Sequence, residues 1–285
     1  MPQFTDEDGV AISYYVWPVA RPRAIVQVVH GVGEHARRYE ELAAKLNAAG
    51  YTVYADDHRG HGQTGMEQWG GDASKLGKLG IGGLRAAVRN VHQFSEIILA
   101  EHPGVPLVLL GHSWGSFMTQ KIVNKHADDY AAVVLSGSAY LMLGSLNSGD
   151  LNAKYKGDSA TGAEWLSRDP EVARAFVADP LTTLTPLAKL FGPIDTLRIL
   201  GRPARGLPPA LPLLIQVGDA DSVGGAASNA RLAAAYRQRS GLTDVTLIVY
   251  PGARHEIYNE TNRAEVMTDL ITWLDARFPS SPASA

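Results

Sequence analysis

The sequence predicts an α/β fold, a mostly parallel central sheet flanked by helices, with a helical cap inserted late in the chain. Three observations predict it. Short runs rich in β-branched residues alternate with helical patterns. Several of those runs are apolar without alternation, as strands buried on both faces should be. The strand rhythm stops near Leu141 and resumes only after Pro212, too long an interruption for a loop in a compact domain. With 285 residues, 45% of them hydrophobic, the chain can bury a large core, and one domain with an insertion is the default. The expected division is a core of residues 1–140 and 206–285 and a cap of residues 141–205.

In chain order, strands are expected at Ile12 to Trp17, Ala24 to His30, Thr52 to Asp56, Leu107 to Gly111, Ala132 to Ser136, Leu213 to Val217 and Thr246 to Tyr250. Helices are expected at Tyr39 to Ala49, stopped by Gly50, and at Gly83 to Glu101, with Leu84, Val88, Val91 and Ile98 on one face before Pro103. A third follows in SFMTQKIVNKH. A fourth, Ala264 to Phe278, places Val266, Leu270 and Trp273 on the face that meets the sheet. The cap mixes short helix-like pieces with Gly and Pro, and PSSPASA reads as a frayed tail.

Composition excludes several classes of function. The formal net charge is -3 and Lys and Arg are scattered, so there is no basic footprint for nucleic acid. The chain has no cysteine, which removes disulfides, thiolate catalysis and sulfur-bound metals together. The N-terminal stretch has no basic region followed by an apolar one, and no segment approaches about 18 uninterrupted apolar residues. A soluble, cytoplasmic protein is expected; the sequence leaves its oligomeric state open.

The strongest chemical motif is Gly111-His112-Ser113-Trp114-Gly115, placed between the apolar run LVLL and a helical run. A serine at such a corner adopts a strained backbone that projects its hydroxyl, and small neighbours let strand and helix approach closely. A serine hydroxyl is a weak nucleophile at neutral pH and needs a histidine base, itself oriented by a carboxylate. On a strand-turn-helix elbow the partners follow in the order Ser, Asp, His. After His126 the only histidine is His255, just beyond the last strand. The acid should end the preceding strand, where GDAD offers Asp219 and Asp221. Asp221 better fits the spacing of strand, glycine, two residues and acid; Asp219 then forms the turn. The expected catalytic set is Ser113, Asp221 and His255.

Attack on an acyl carbonyl produces an oxyanion that preplaced N–H donors must meet. One donor should be the residue after the nucleophile, Trp114. The other should come from the glycine-bearing loop HGVGEH after an earlier strand, at Val32. His30 reads as a packing histidine.

Taken in order, HGVGEHARRY, DDHRGHGQT, GHSWG, GDAD and PGARHEIYNE closely resemble the monoacylglycerol lipase and lysophospholipase-like branch of the α/β-hydrolases, over roughly residues 10–138 and 208–275. The resemblance implies the α/β-hydrolase fold, no cofactor, and hydrolysis of small acyl esters such as a monoglyceride. It also implies that Glu34, Arg38 and His112 surround the alcohol part of the substrate. A structural role for Glu34, paired with Arg37, Arg38 or Arg59 beneath the loop, is the alternative. Asp57, His58, Arg59 and His61 read as loop-ordering residues and no metal is expected. The sequence departs from the family at position 114, often methionine or a smaller residue, where tryptophan puts a rigid ring near the acyl entrance. The cap matches only loosely, through EWLSRDP and VADPL. Its many apolar residues either pack on the core or line an acyl channel and touch a lipid interface transiently. Short-chain carboxylesterase, amidase or acyltransferase chemistry would use the same triad, and a non-catalytic ligand-binding protein would ordinarily lack one of its members.

Overall fold

The computed structural model describes residues 1–147 and 149–279. Its eight strands are β1 Gln3–Thr5, β2 Ala11–Trp17, β3 Ala24–Val29, β4 Tyr51–Asp56, β5 Leu107–His112, β6 Ala132–Ser136, β7 Leu213–Gly218 and β8 Val245–Tyr250. They form one sheet in the order β1-β2-β4-β3-β5-β6-β7-β8. The β1–β2 and β2–β4 pairings are antiparallel; every pairing from β4 through β3 to β8 is parallel. The expected mostly parallel sheet is what the chain forms, and all residues of β3 to β7 are buried.

The eight helices are α1 Glu40–Ala48, α2 Gly62–Gln68, α3 Gly83–Glu101, α4 Trp114–His126, α5 Pro170–Ala178, α6 Leu187–Ile199, α7 Gly225–Ala235 and α8 Arg263–Asp275. The strand period of two divides the core into two layers. Leu107 and Leu109 of β5 face a cluster with Val91, Phe94 and Ile98 of α3, Met118 and Ile122 of α4, and Leu232 of α7. Val108 and Leu110 face the opposite cluster, with Leu42 and Leu46 of α1 and Val266, Leu270 and Trp273 of α8.

Three elements had no counterpart in the expected set. The strand β1 is only three residues long, and α2 (GQTGMEQ) and α7 (GAASNARLAAA) are too rich in Gly and Ala to carry apolar periodicity. The expected tail PSSPASA lies outside the described residues after Pro279.

Between β6 and β7 the chain runs over the carboxyl ends of the strands and holds α5 and α6. Asp169 caps α5 by accepting from Glu171 N–H, and Pro170 opens the helix. α6 is broken at Gly192 (φ 71°, ψ 175°), just before Pro193. Beyond the break Asp195 accepts from Leu84 N–H at 3.0 Å, setting a carboxylate on the first turn of α3 where the helix dipole favours it. Among the described residues no helix is long and apolar enough to cross a membrane.

Phe94 is fully buried, its ring centroid 5.4 Å from Phe4 and 4.9 Å from Tyr14. Phe94→Ala is therefore expected to lower unfolding stability by about 3–5 kcal/mol, measured by urea denaturation. Ile81→Ala, at a side chain 80% exposed, should change it by less than about 0.5 kcal/mol.

Candidate active site

Ser113 stands between the end of β5 and the start of α4 with φ 53° and ψ -126°, the one non-glycine residue at positive φ among those described. That conformation costs free energy and persists because its surroundings over-determine it. Ser113 N–H donates to Ser136 O at 2.9 Å, and Ser116 Oγ–H donates to Ser113 O at 2.6 Å. The flanking glycines serve by size, since neither has positive φ. A Cβ on Gly115 would sit 2.1 Å from Val29 O, and one on Gly111 would sit 2.4 Å from Thr119 Oγ1.

Asp221 follows β7 and His255 follows β8. His255 Nδ1 lies 2.9 Å from Asp221 Oδ1, both side chains buried, so the imidazole donates from Nδ1 and leaves Nε2 for other work. Asp219 sits in the turn after β7, closed by Asp221 N–H donating to Gly218 O at 3.3 Å, but its carboxylate does not cap that turn: it accepts from Gly252 N–H at 2.7 Å and ties the turn to the one after β8. His255 Nε2 is buried and unpartnered. Ser113 and His255 border the same cavity without a mutual hydrogen bond, a contact that in free enzymes often tightens only with substrate. Burial works to lower the His255 pKa, but the charge and hydrogen bond of Asp221, with Glu256 and Glu34 behind, outweigh it and the pKa is raised.

Val32 and Trp114 also border the cavity. Trp114 is the first residue of α4, so its N–H has no acceptor inside the helix. The neighbouring Gly31 N–H is already taken, donating to Glu34 Oε1 at 2.6 Å.

Glu34 is the hub of a buried network. It accepts from Tyr39 OH at 2.8 Å and from Arg38 Nη1 at 2.7 Å. Arg38 also donates from Nη1 and Nη2 to the two carboxylate oxygens of Glu256, both at 2.7 Å. Of the three residues expected around the alcohol, Glu34 and His112 border the cavity, while Arg38 does not. Arg38 faces a second hollow of about 500 Å³ beside Tyr15, His35 and Asp179. The arginine that pairs with Glu34 is Arg38, and Arg59 is held elsewhere, between Asp6 (2.5 Å) and Asp8 (2.8 Å). Burial raises the Glu34 pKa against the pull of Arg38. In Glu256 burial is overcome by Arg38, and the pKa falls to about 2. His112, with Nδ1 3.1 Å from Ser136 Oγ, is held well below the ordinary value by burial and then by His255.

Sequence reasoning missed Glu256, which borders the cavity. Its signal was its place directly after His255 in a polar motif. The DHRG segment orders its loop as expected: Asp57 accepts from Ala36 N–H (2.9 Å) and Gln63 N–H (2.8 Å), and His58 N–H donates to His30 Nε2 at 3.1 Å.

The cavity, about 620 Å³, is mostly apolar. Leu146, Trp165, Phe176, Leu187 and Ile199 of the β6–β7 segment line it with Phe117. Trp114 is fully buried, its ring 5.1 Å from Phe191 and 5.2 Å from His61.

A parallel sheet whose fifth strand ends in a serine elbow, with a histidine–aspartate pair after the last two strands and helices laid over the opening, defines an α/β-hydrolase. The family model described as serine aminopeptidase, S33, matches residues 20–262, and the chain belongs to this family. It is 34% identical to the monoacylglycerol lipase of Mycolicibacterium smegmatis, over 95% of both chains. It is 28% identical to the monoglyceride lipase of Mus musculus, over 99% of this chain and 93% of the relative. The structure of a highly thermostable carboxyl esterase from Bacillus coagulans, in complex with glycerol, superposes with a TM-score of 0.82 at 26% identity, over 97% of this chain and 98% of that one. The protein is a monoacylglycerol lipase-like serine ester hydrolase.

Replacing Arg38 by Met strands two buried carboxylates. The expected loss is about 3–5 kcal/mol of stability at neutral pH, read from urea unfolding. In the wild type Glu256, depressed from 4.5 to about 2, adds stability that is full above pH 4.5 and fades as pH falls toward 2. The deficit of Arg38→Met should accordingly shrink below about pH 4.5.

Proposed function

We propose that the protein hydrolyses monoacylglycerols and similar small acyl esters through an acyl-serine intermediate, with Ser113, His255 and Asp221 as its triad. One observation carries this reading: a serine at positive φ opens into a mostly apolar cavity together with the free Nε2 of a histidine whose Nδ1 is bonded to a buried aspartate. In the proposed cycle His255 Nε2 takes the Ser113 proton as Oγ attacks the ester carbonyl, and Asp221 stabilises the imidazolium. The N–H groups of Val32 and Trp114 receive the oxyanion. The alcohol leaves with the proton from His255, and water activated by the same nitrogen releases the fatty acid. No step calls for a cofactor.

The apolar lining suits an acyl chain, and Glu34, Glu256 and His112 give the alcohol a polar end. Residues 141–205 act in this reading as a cap. Its exposed Leu143 (82%), Ile194 (64%) and Leu197 (64%) favour transient contact with a lipid surface. The names of the relatives, monoacylglycerol lipase and a carboxyl esterase with glycerol bound, support the substrate class. A second reading, a short-chain carboxylesterase, draws on the Trp114–Phe191 contact at 5.1 Å beside the cavity, which would limit chain length.

Hydrolysis rates on p-nitrophenyl esters from acetate to palmitate and on monoacylglycerols decide between them. The proposal expects the highest kcat/KM on monoacylglycerols and a fall of roughly 10⁴–10⁶-fold in Ser113→Ala. Activity confined to the shortest esters would favour the second reading; a near-normal Ser113→Ala would sink both. The base must be neutral, and its pKa is raised above 6.5. Hence kcat/KM should fall with decreasing pH through a limb above 6.5, and Asp221→Asn should move that limb down while lowering kcat about 10⁴-fold.

A further inference from the structure

At the end of α4 remote from Ser113, side chains from three elements converge. His92 lies on α3, His126 closes α4, and Asp129 closes the short turn Ala127–Asp129. His92 Nε2 is 2.8 Å from Asp129 Oδ2. The His92 and His126 rings stack with centroids 3.6 Å apart and planes 25° from parallel. One ligand atom from each residue lies within 4.8 Å of the others.

We propose that His92, His126 and Asp129 form a site for a divalent transition metal of the zinc kind, which pins α3 to the end of α4. Two imidazole nitrogens and a carboxylate are the donors such ions take, where calcium and magnesium prefer oxygen alone. Tetrahedral zinc with bonds of about 2.0–2.2 Å sets its donors roughly 3.4 Å apart. To reach that spacing His92 Nε2 and Asp129 Oδ2, now 2.8 Å apart, open slightly, and the two stacked rings turn out of their stack to aim their nitrogens at one ion; side-chain rotation supplies these movements at a site where His92 is 13% and Asp129 37% exposed. Water completes the fourth position.

Two surrounding features favour a cation there. The other nitrogen of His92, Nδ1, lies 3.9 Å from Glu96 Oε1 one turn along α3, which adds negative charge beside the site. The site also sits at the C-terminal end of α4, where unpaired carbonyls favour positive charge. Its role is structural, since none of the three residues borders the cavity around Ser113. The expectation of no metal rests on the histidines of DHRGHG; His92, His126 and Asp129 converge only in the fold.

The test is calorimetric titration of the metal-stripped, full-length protein with Zn²⁺, alongside thermal unfolding and ester hydrolysis. One ion should bind per chain, raise Tm and leave hydrolysis intact. His126→Ala and Asp129→Asn should each weaken binding by about tenfold or more and abolish the thermal shift, with hydrolysis retained as proof of folding. Absence of Zn²⁺ binding, or equal binding by His126→Ala, overturns the site in favour of a plain His92–Asp129 ion pair. Zinc that inhibits hydrolysis and persists in His126→Ala belongs to the active-site histidines and overturns it equally.

Discussion

Backbone lies against backbone where α4 leaves the sheet, and the geometry of the site follows from that contact. A Cβ on Gly115 would stand 2.1 Å from Val29 O and 2.4 Å from His30 O, so only glycine lets the helix seat this closely on the end of β3. The same approach brings the loop after β3 to the nucleophile: a Cβ on Gly31 would stand 3.1 Å from Ser113 Cβ. Val32, Ser113 and Trp114 thus border one cavity, brought together by backbone packing. Strain at Ser113 is sustained by hydrogen bonds from its N–H to β6 and to its carbonyl from Ser116.

Electrostatics ties the two halves of this opening together. Arg38 sits between Glu34, which holds the Gly31 N–H, and Glu256, the neighbour of His255. A single buried cation so links the loop after β3 to the loop after β8, whose residues are far apart in sequence. The His255 loop is also bound from above, with Glu256 N–H donating to Leu166 O at 2.7 Å. The segment over the cavity is fastened to the core at its far side by Asp195 on the first turn of α3.

Much of this was legible in the sequence because the strands are buried on both faces and the nucleophile motif has a strand before it and a helix after it. The predicted helix Gly83 to Glu101 matches α3 end to end, since Leu84, Val91 and Ile98 mark its face and Gly and Pro bracket it. The partner of His255 was legible from spacing, which separates Asp221 from the turn-forming Asp219. Other features needed three dimensions. α7 is mostly alanine and offers no periodic apolar face to read. The position of Arg38 behind the loop, turned away from the cavity, depends on Glu256 arriving from the other end of the chain. The convergence of His92, His126 and Asp129 likewise exists only once α3 and α4 are packed.

The account stands on Ser113 being a nucleophile primed by His255. The most direct measurement is intact mass and peptide mapping after reaction with a fluorophosphonate. A single phosphonyl adduct on Ser113, absent from Ser113→Ala and formed far more slowly by His255→Ala, is the predicted result. Labelling at another serine, or equal labelling when His255 is removed, would contradict it.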